Sequence, residues 1–376
     1  MASIERYVWA EVNLSAINGN MSRLKALCAP NVKFCPVIKA DGYGHGAAAV
    51  AKEALAVGAD YLAVAAYSEA AELRAAGFTI PLLIMGHVLP EQACQVVGKR
   101  ITQVVYAVDQ AQALSRAACD LGLTAKIHAK IDTGMSRLGV RPEQAAEFCA
   151  ALAALPGIEL EGVFTHFATA DGEDKTMTNA QFKAFQEALA AIKGRGIDIA
   201  LRHCCNSAGT MDMPRAHLDM VRPGVAMYGF SPWGNRLEER ADRWPVPLEP
   251  ALALKGRLAF VKPLPRGAKV GYGATFTAPK DMILGTIPLG YADGYPRGLS
   301  GKGSVIVAGR RVPLAGRICM DQCMLDLSAV PEAKTGDEVT FFGEGLPLDE
   351  LSTLLGTINQ ELMCGLSRRV PREYTR

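Results

Sequence analysis

From residue 32 onward, short apolar runs rich in β-branched residues alternate with longer stretches whose apolar residues recur every three or four positions. The runs are VKFCPVIKA (32–40), YLAVAAY (61–67), PLLIMG (81–86), ITQVVYA (101–107), AKIHAKID (125–132), LEGVFTHF (160–167), IALRHCC (199–205) and MVRPGVAMYG (220–229). Their length and continuous apolar character predict strands covered on both faces. The stretches between them, such as GAAAVAKEALAVG, PEQACQVVGK, DQAQALSRAACDLG, PEQAAEFCAALAALPG and NAQFKAFQEALAAIKGRG, predict helices. Several open on Pro or Asp and close on Gly, as helix ends prefer. Eight strands alternating with helices predict a (β/α)8 TIM-like barrel. An open doubly wound sheet is the other topology with this pattern, because a strand count does not fix closure.

The texture changes after about residue 242. RWPVPLEPALALKGRLAFVKPLPRGAKVGYGATFTAP is rich in Pro and Gly, and it is followed by short Val, Ile and Leu runs such as GSVIVAGRRVPLAGRICMDQCMLDL and DEVTFFGEG. This predicts a mainly β C-terminal domain with one helix candidate, LDELSTLLGTINQELMCG. The predicted division is a barrel over 1–242 and a β domain over 243–376, with the boundary near ERADRWPVP.

Composition narrows the classes. Hydrophobic residues make up 49% and charged residues 21%, enough for a core and against disorder. The formal net charge is +2 with basic residues scattered, which argues against a nucleic-acid surface. The opening MASIERYVWAEVN lacks the apolar segment of a signal peptide, and no apolar run approaches the roughly 18 residues of a membrane span, so a cytoplasmic protein is expected. The ten cysteines form no C-x-x-C pair, and reduced thiols are expected rather than metal ligands.

In a parallel barrel, functional groups gather at the C-terminal ends of the strands. Lys39, Arg137, His166, Asn206, Ser207 and Arg222 all fall there. Any one of them reads as a solvated rim residue; their joint placement predicts a site. CCNSAG (204–209) and VRPGVAMYG (221–229) follow strands seven and eight, where barrels often bind phosphate, and offer the Ser207 hydroxyl and the Gly224 and Val225 amides. A lysine across the mouth from a phosphate site is the arrangement needed for a Schiff base with pyridoxal 5′-phosphate.

VIKADGYGHG (37–46), KIDTGMSRLG, THFATAD, CCNSAG, VRPGVAMYG, VGYGATF, LGYADGY and GRICMDQCMLDL, in this order through both domains, resemble the alanine racemases of the pyridoxal-phosphate barrel fold. The resemblance implies interconversion of L- and D-alanine, a step that supplies peptidoglycan precursor, by a homodimer with shared active sites. It implies that Lys39 holds the cofactor and is the base on one face of the substrate, and that Tyr272 from the partner subunit is the base on the other. Both would need a site that lowers their proton affinity through cations and burial. Arg222 would meet the pyridine nitrogen, and as a guanidinium would not give up its proton. His166 would support that network, and Arg137 would meet the ring hydroxyl or the substrate carboxylate. Tyr43, Asn206, Ser207, Gly224 and Val225 would hold the phosphate end. Met320, Tyr291 and Asp321 would form the partner's side of the substrate entrance. His128, Lys130 and Asp132 share one face by period two. If that face is interior, Lys130 is a buried cation near Arg137, and the family resemblance implies its carbamylation by CO2.

Two positions depart from the family pattern. LSRRVPREY carries Arg368 where a tyrosine usually touches phosphate; an arginine there is expected still to bind the phosphate but would alter volume and charge beside the substrate, and Gly42 stands where alanine is common and should only loosen the turn. A racemase of broader specificity, acting on serine or basic amino acids, is therefore an alternative. A non-catalytic pyridoxal-phosphate carrier is a second one, opposed by Tyr272 and the Cys319-Met320-Asp321 segment. A decarboxylase of related fold is opposed by the absence of its cysteine-bearing motif. His45 is expected to be structural.

Overall fold

The structure is a computed structural model that describes residues 6–234 and 246–376. The predicted boundary at 242/243 lies outside the described residues. Strand β1 (Val8–Asn13) comes first, and β2 (Lys33–Phe34), β3 (Leu62–Val64), β4 (Leu82–Ile84), β5 (Thr102–Val105), β6 (Ala125–Lys130), β7 (Ile158–Phe164), β8 (Leu201–His203) and β9 (Met220–Val221) correspond to the eight predicted runs. Strands β3 to β8 form a parallel sheet in sequence order, and β2 pairs with β9. Two seams close the ring. Val37 bridges Ala63, joining β2 to β3, and the amides of Asp219 and Arg222 donate to the carbonyls of Arg202 and Cys205 at 3.0 Å, joining β9 to β8. The barrel interior is packed by Cys35, Val37, Tyr61, Ala63, Leu83, Val104, Phe164, Leu201 and Met220, while the outward-facing side chains join the helices in the main core.

The C-terminal domain is mainly β. Strands β10 (Leu252–Arg257), β11 (Phe260–Leu264), β12 (Lys269–Val270), β13 (Phe276–Thr277), β14 (Met282–Ile287), β15 (Ser304–Val307), β16 (Arg310–Pro313), β17 (Cys323–Asp326), β18 (Glu338–Phe342) and β19 (Arg372–Thr375) form a six-stranded sheet in the order β16-β15-β18-β10-β1-β19, a three-stranded sheet β11-β14-β17 and the hairpin β12-β13. The first strand of the chain thus lies in the second domain's sheet, antiparallel to β10 and parallel to β19. The single predicted helix over 348–365 is two, Leu348–Leu355 and Asn359–Gly365. Gly356 takes φ +69° and ends the first in a left-handed cap. All ten cysteines are free, and among the described residues no group of His, Cys, Asp or Glu could hold a metal ion. Among the described residues no helix is long and apolar enough to cross a membrane.

Candidate active site

A cavity of about 490 Å³ opens at the C-terminal ends of the barrel strands. Lys39, Tyr43, Lys130, Arg137, His166, Asn206, Ser207, Arg222, Gly224 and Val225 all line it, with Val37, Met85, Leu138, Phe164 and Phe167 as its apolar wall. Among the described residues its charged lining is four cations, Lys39, Lys130, Arg137 and Arg222, against one carboxylate, Asp171. Such an excess in a partly enclosed space calls for an anion.

Lys39 does not end a strand, as the sequence predicts. It opens one turn of left-handed helix: Ala40, Asp41, Gly42 and Tyr43 have φ of 51°, 52°, 62° and 53°. L-residues resist this conformation by about 1–2 kcal/mol each, so the surroundings must hold it. Glu69 accepts from the Ala40 amide at 2.6 Å, the Asp41 carboxylate accepts from the Ala47 amide at 2.8 Å, and Arg372 donates to the Gly44 carbonyl at 2.9 Å. His45 is structural: fully buried, it donates from Nδ1 to the carbonyls of Gly42 and Tyr43 at 3.0 Å and stacks on Tyr228 at 4.4 Å. Gly42, the one residue here that takes a positive φ without a Cβ penalty, relieves the turn rather than loosening it. The turn leaves both Lys39 and Tyr43 in the lining of the cavity. Burial and Arg137 both lower the proton affinity of Lys39.

Ser207, Gly224 and Tyr43 converge on one part of the lining. The Ser207 hydroxyl accepts from the Gly224 amide at 2.8 Å and the Ala226 amide at 3.3 Å, and a Cβ on Gly224 would lie 2.8 Å from the Tyr43 hydroxyl. Two hydroxyls and backbone amides thus face one space that a side chain at 224 would fill, which suits a phosphate. Asn206 lines the cavity while its side chain accepts from the Gly209 amide at 3.0 Å.

Arg222 is buried, and among the described residues it has no carboxylate partner. Its Nη1 donates to His203 Nδ1 at 2.5 Å, and its Nη2 donates to the Thr165 carbonyl at 3.1 Å and to His166 Nδ1 at 3.3 Å. The ring of Phe164 lies 5.1 Å from the guanidinium. Its Nε is buried and has no hydrogen-bond partner among the described residues. A buried orphan donor is destabilising by about 1–3 kcal/mol, and an unprotonated aromatic nitrogen in the cavity would satisfy it. The Lys39 amine, the hydroxyl and amide cradle and this donor, all in the lining of one cavity, fit pyridoxal phosphate.

Burial and the neighbouring cations Arg222, Arg137, Lys130 and Lys39 hold His166 well below the ordinary histidine range, so it is neutral. Lys130 is 4% exposed; its Nζ donates to the Ile131 carbonyl at 2.8 Å and lies 5.2 Å from the Phe164 ring. Burial and Arg222 lower it to about 7. Asp132, on the same face, is turned into its own loop, accepting from the amides of Gly134 and Ser136 at 3.0 and 2.9 Å.

Five expected residues lie elsewhere. Tyr272, Met320 and Tyr291 are 72%, 53% and 42% exposed on the C-terminal domain and do not line this chain's own cavity. The Tyr291 amide donates to the Cys319 carbonyl at 3.1 Å, and Cys319 and Tyr272 line one shallow hollow, so these residues share a face. Asp321 accepts from Arg369 Nη2 at 2.7 Å. Arg368 is the clear difference from the sequence reading: it lies outside the cavity and meets Glu72 at 3.5 Å, with 83% of its side chain exposed. Its turn is pinned by Arg372, which donates to the carbonyls of Leu366, Ser367 and Val370 and directs residue 368 outward. Gln360 and Asp171 do line the cavity and were missed; Gln360 sits in a stretch that reads as an ordinary amphipathic helix.

Residues 12–232 match the family model for the alanine racemase N-terminal domain, and residues 251–374 match that for the alanine racemase C-terminal domain. The chain is 51% identical to the alanine racemase of Desulfovibrio desulfuricans, with both chains covered in full, and 44% identical to that of Methanococcus maripaludis over 98% of each. Among solved structures, the alanine racemase of Clostridium difficile 630 superposes with a TM-score of 0.93 at 39% identity, covering 98% of this chain and 96% of that one. The alanine racemase of Bacillus anthracis with bound L-Ala-P gives 0.94 at 36% identity, covering 100% and 96%. With both domains matched in order and the polar groups gathered at one barrel mouth, the chain belongs to the alanine racemase family.

Proposed function

We propose that the protein interconverts L- and D-alanine with pyridoxal 5′-phosphate, as a homodimer in which each active site takes residues from both subunits. The observation that carries this reading is the buried, unpaired Nε of Arg222 in a cavity that also holds the Lys39 amine and the cradle of Tyr43, Ser207, Gly224 and Val225. The bound cofactor supplies an electron sink for the electron pair left when a substrate Cα loses its proton. Lys39 takes or returns that proton on one face; its lowered proton affinity leaves more of the amine free to act as a base. Tyr272 of the partner subunit takes or returns the proton on the opposite face. The exposure of the equivalent tyrosine on this chain, away from its own cavity, supports that arrangement.

Arg222 donates and does not give up its proton, so the sink stays a weak one and proton return to Cα is favoured over side reactions. His166 accepts from Arg222 through Nδ1 and, being neutral, carries its own proton on Nε2. Arg137 is the cation that would meet the substrate carboxylate. The Lys130 amine, lowered to about 7, is about half free base near neutrality and in that form available to CO2. As the nitrogen lone pair forms an N–C bond, one C=O π pair of CO2 moves onto oxygen and one N–H proton leaves to solvent, and the resulting carbamate offsets the excess of cations. The position of Arg368 outside the cavity supports alanine over a broader specificity.

Subunit mixing tests this. Lys39→Ala and Tyr272→Phe should each abolish alanine racemisation, and dimers re-formed from equal amounts of the two should regain about one active site in four. A mixture as inactive as its parents would refute shared sites. Failure of the unmodified enzyme to racemise alanine would refute the activity.

A further inference from the structure

Glu161 lies in β7 and does not line the cavity. It is 7% exposed and ends an unbroken buried chain of hydrogen bonds that begins at Arg222. Arg222 Nη1 is 2.5 Å from His203 Nδ1, His203 Nε2 is 2.9 Å from His128 Nδ1, and His128 Nε2 is 3.1 Å from Glu161 Oε2. Glu161 Oε1 accepts from Lys126, half exposed in β6, at 2.6 Å. The rings are held in place. Phe164 stacks on His203 with centroids 4.8 Å apart and planes 9° apart. Gly162 stands opposite His128 in the sheet, and a Cβ there would lie 2.8 Å from the imidazole.

The direction of this chain is fixed by its two ends, because a guanidinium only donates and a carboxylate only accepts. Burial holds His128 below the ordinary range and, with Arg222, holds His203 well below it, so each ring carries one proton. Burial pushes Glu161 up, but hydrogen bonds from His128, Lys126 and Tyr61 outweigh it and hold the carboxyl at about 2. One arrangement remains. His128 donates from Nε2 to Glu161, so its Nδ1 is bare; His203 donates from Nε2 to that Nδ1, so its own Nδ1 is bare and accepts from Arg222.

We propose that Glu161 is a positioning residue for Arg222: by accepting at the far end of the relay it fixes both histidine tautomers, so that His203 presents an acceptor to the guanidinium and Nε is kept facing the cavity. The catalytic consequence rests on the reading of Arg222 given under Proposed function; the tautomers do not. In Glu161→Gln the amide has one acceptor oxygen, and Lys126 competes for it. Its NH₂ then faces His128, both tautomers reverse, and two donors oppose each other between His203 and Arg222.

Nitrogen-15 NMR of histidine-labelled holoenzyme tests this, with the six histidines assigned by single substitution. In the unmodified protein His128 and His203 should both be the Nε2–H tautomer. Glu161→Gln should convert them to Nδ1–H and lower kcat for alanine by on the order of tenfold, about the worth of one hydrogen bond, while Glu161→Asp, still acceptor-only, should keep the Nε2–H tautomers. Nδ1–H at either ring in the unmodified protein would overturn the proposal, and so would unchanged tautomers, or an unchanged kcat with reversed tautomers, in Glu161→Gln. If that variant does not fold, the unmodified and Glu161→Asp spectra decide. Expected tautomers in a protein that does not racemise alanine would refute the activity and leave the relay standing.

Discussion

Lys130→Met, read as stability against pH in carbonate-free buffer, isolates the cation excess at the barrel mouth. Lys130 is buried beside Arg222 with one hydrogen bond, to the Ile131 carbonyl, and its pKa falls from 10.5 to about 7 through burial first and Arg222 second. In the unfolded chain the amine keeps its proton until about pH 10.4. Between those two values the unfolded state binds the extra proton, so stability rises with pH by about 1.4 kcal/mol per unit from this residue. Below about 7 both states are protonated, and the burden of the buried charge is full and constant. At neutral pH that burden is about 4 kcal/mol. Subtracting about 1 kcal/mol for the lost hydrogen bond, Lys130→Met should be more stable than the unmodified protein by about 3 kcal/mol. Urea unfolding at fixed protein concentration should show two curves that converge as pH rises toward about 10. Added bicarbonate should stabilise only the protein that has the amine. Parallel curves, or a variant less stable at neutral pH, would refute the argument that Lys130 is a buried cation without compensation.

Gly224→Ala places a methyl 2.8 Å from the Tyr43 hydroxyl and should weaken binding of pyridoxal phosphate at least about tenfold, roughly the loss of one phosphate hydrogen bond, in a fluorescence titration. Arg368→Ala removes only an exposed pair with Glu72; the melting free energy should change by less than about 1 kcal/mol and cofactor affinity should hold, whereas a large affinity loss would return Arg368 to the site. Ala40→Gly should stabilise by about 0.5–1 kcal/mol in urea, since Ala40 sits at φ +51°; a loss of that size, as glycine gives in an ordinary helix, would mean the turn is not strained.

The barrel was legible because each of its strands is a short apolar run whose neighbours carry helical period. The polar residues at the strand ends were legible for the same reason: position along a parallel strand fixes the rim. What happens after a strand ends was not. The left-handed turn after Lys39 depends on Glu69, Asp41 and Arg372, and the last is contributed from the far end of the chain. Arg368 was misjudged because alignment by motif fixes the order of residues and not the direction of a side chain, which Arg372 sets through three carbonyls. Strand β1 escaped notice because VWAEVN pairs only with residues beyond 250, and local periodicity carries no information about so distant a partner.

That pairing has a consequence for synthesis. Emerging from the ribosome, Val8–Asn13 must wait for β10, which begins at Leu252, an interval of on the order of ten seconds or more at ordinary elongation rates. During that time the eight barrel strands can already assemble, leaving an apolar ribbon tethered to the helix over 14–26 with both edges unpaired. β19, made later still, covers the other edge of β1, so Val8–Asn13 stays adhesive until residues 372–375 have emerged as well.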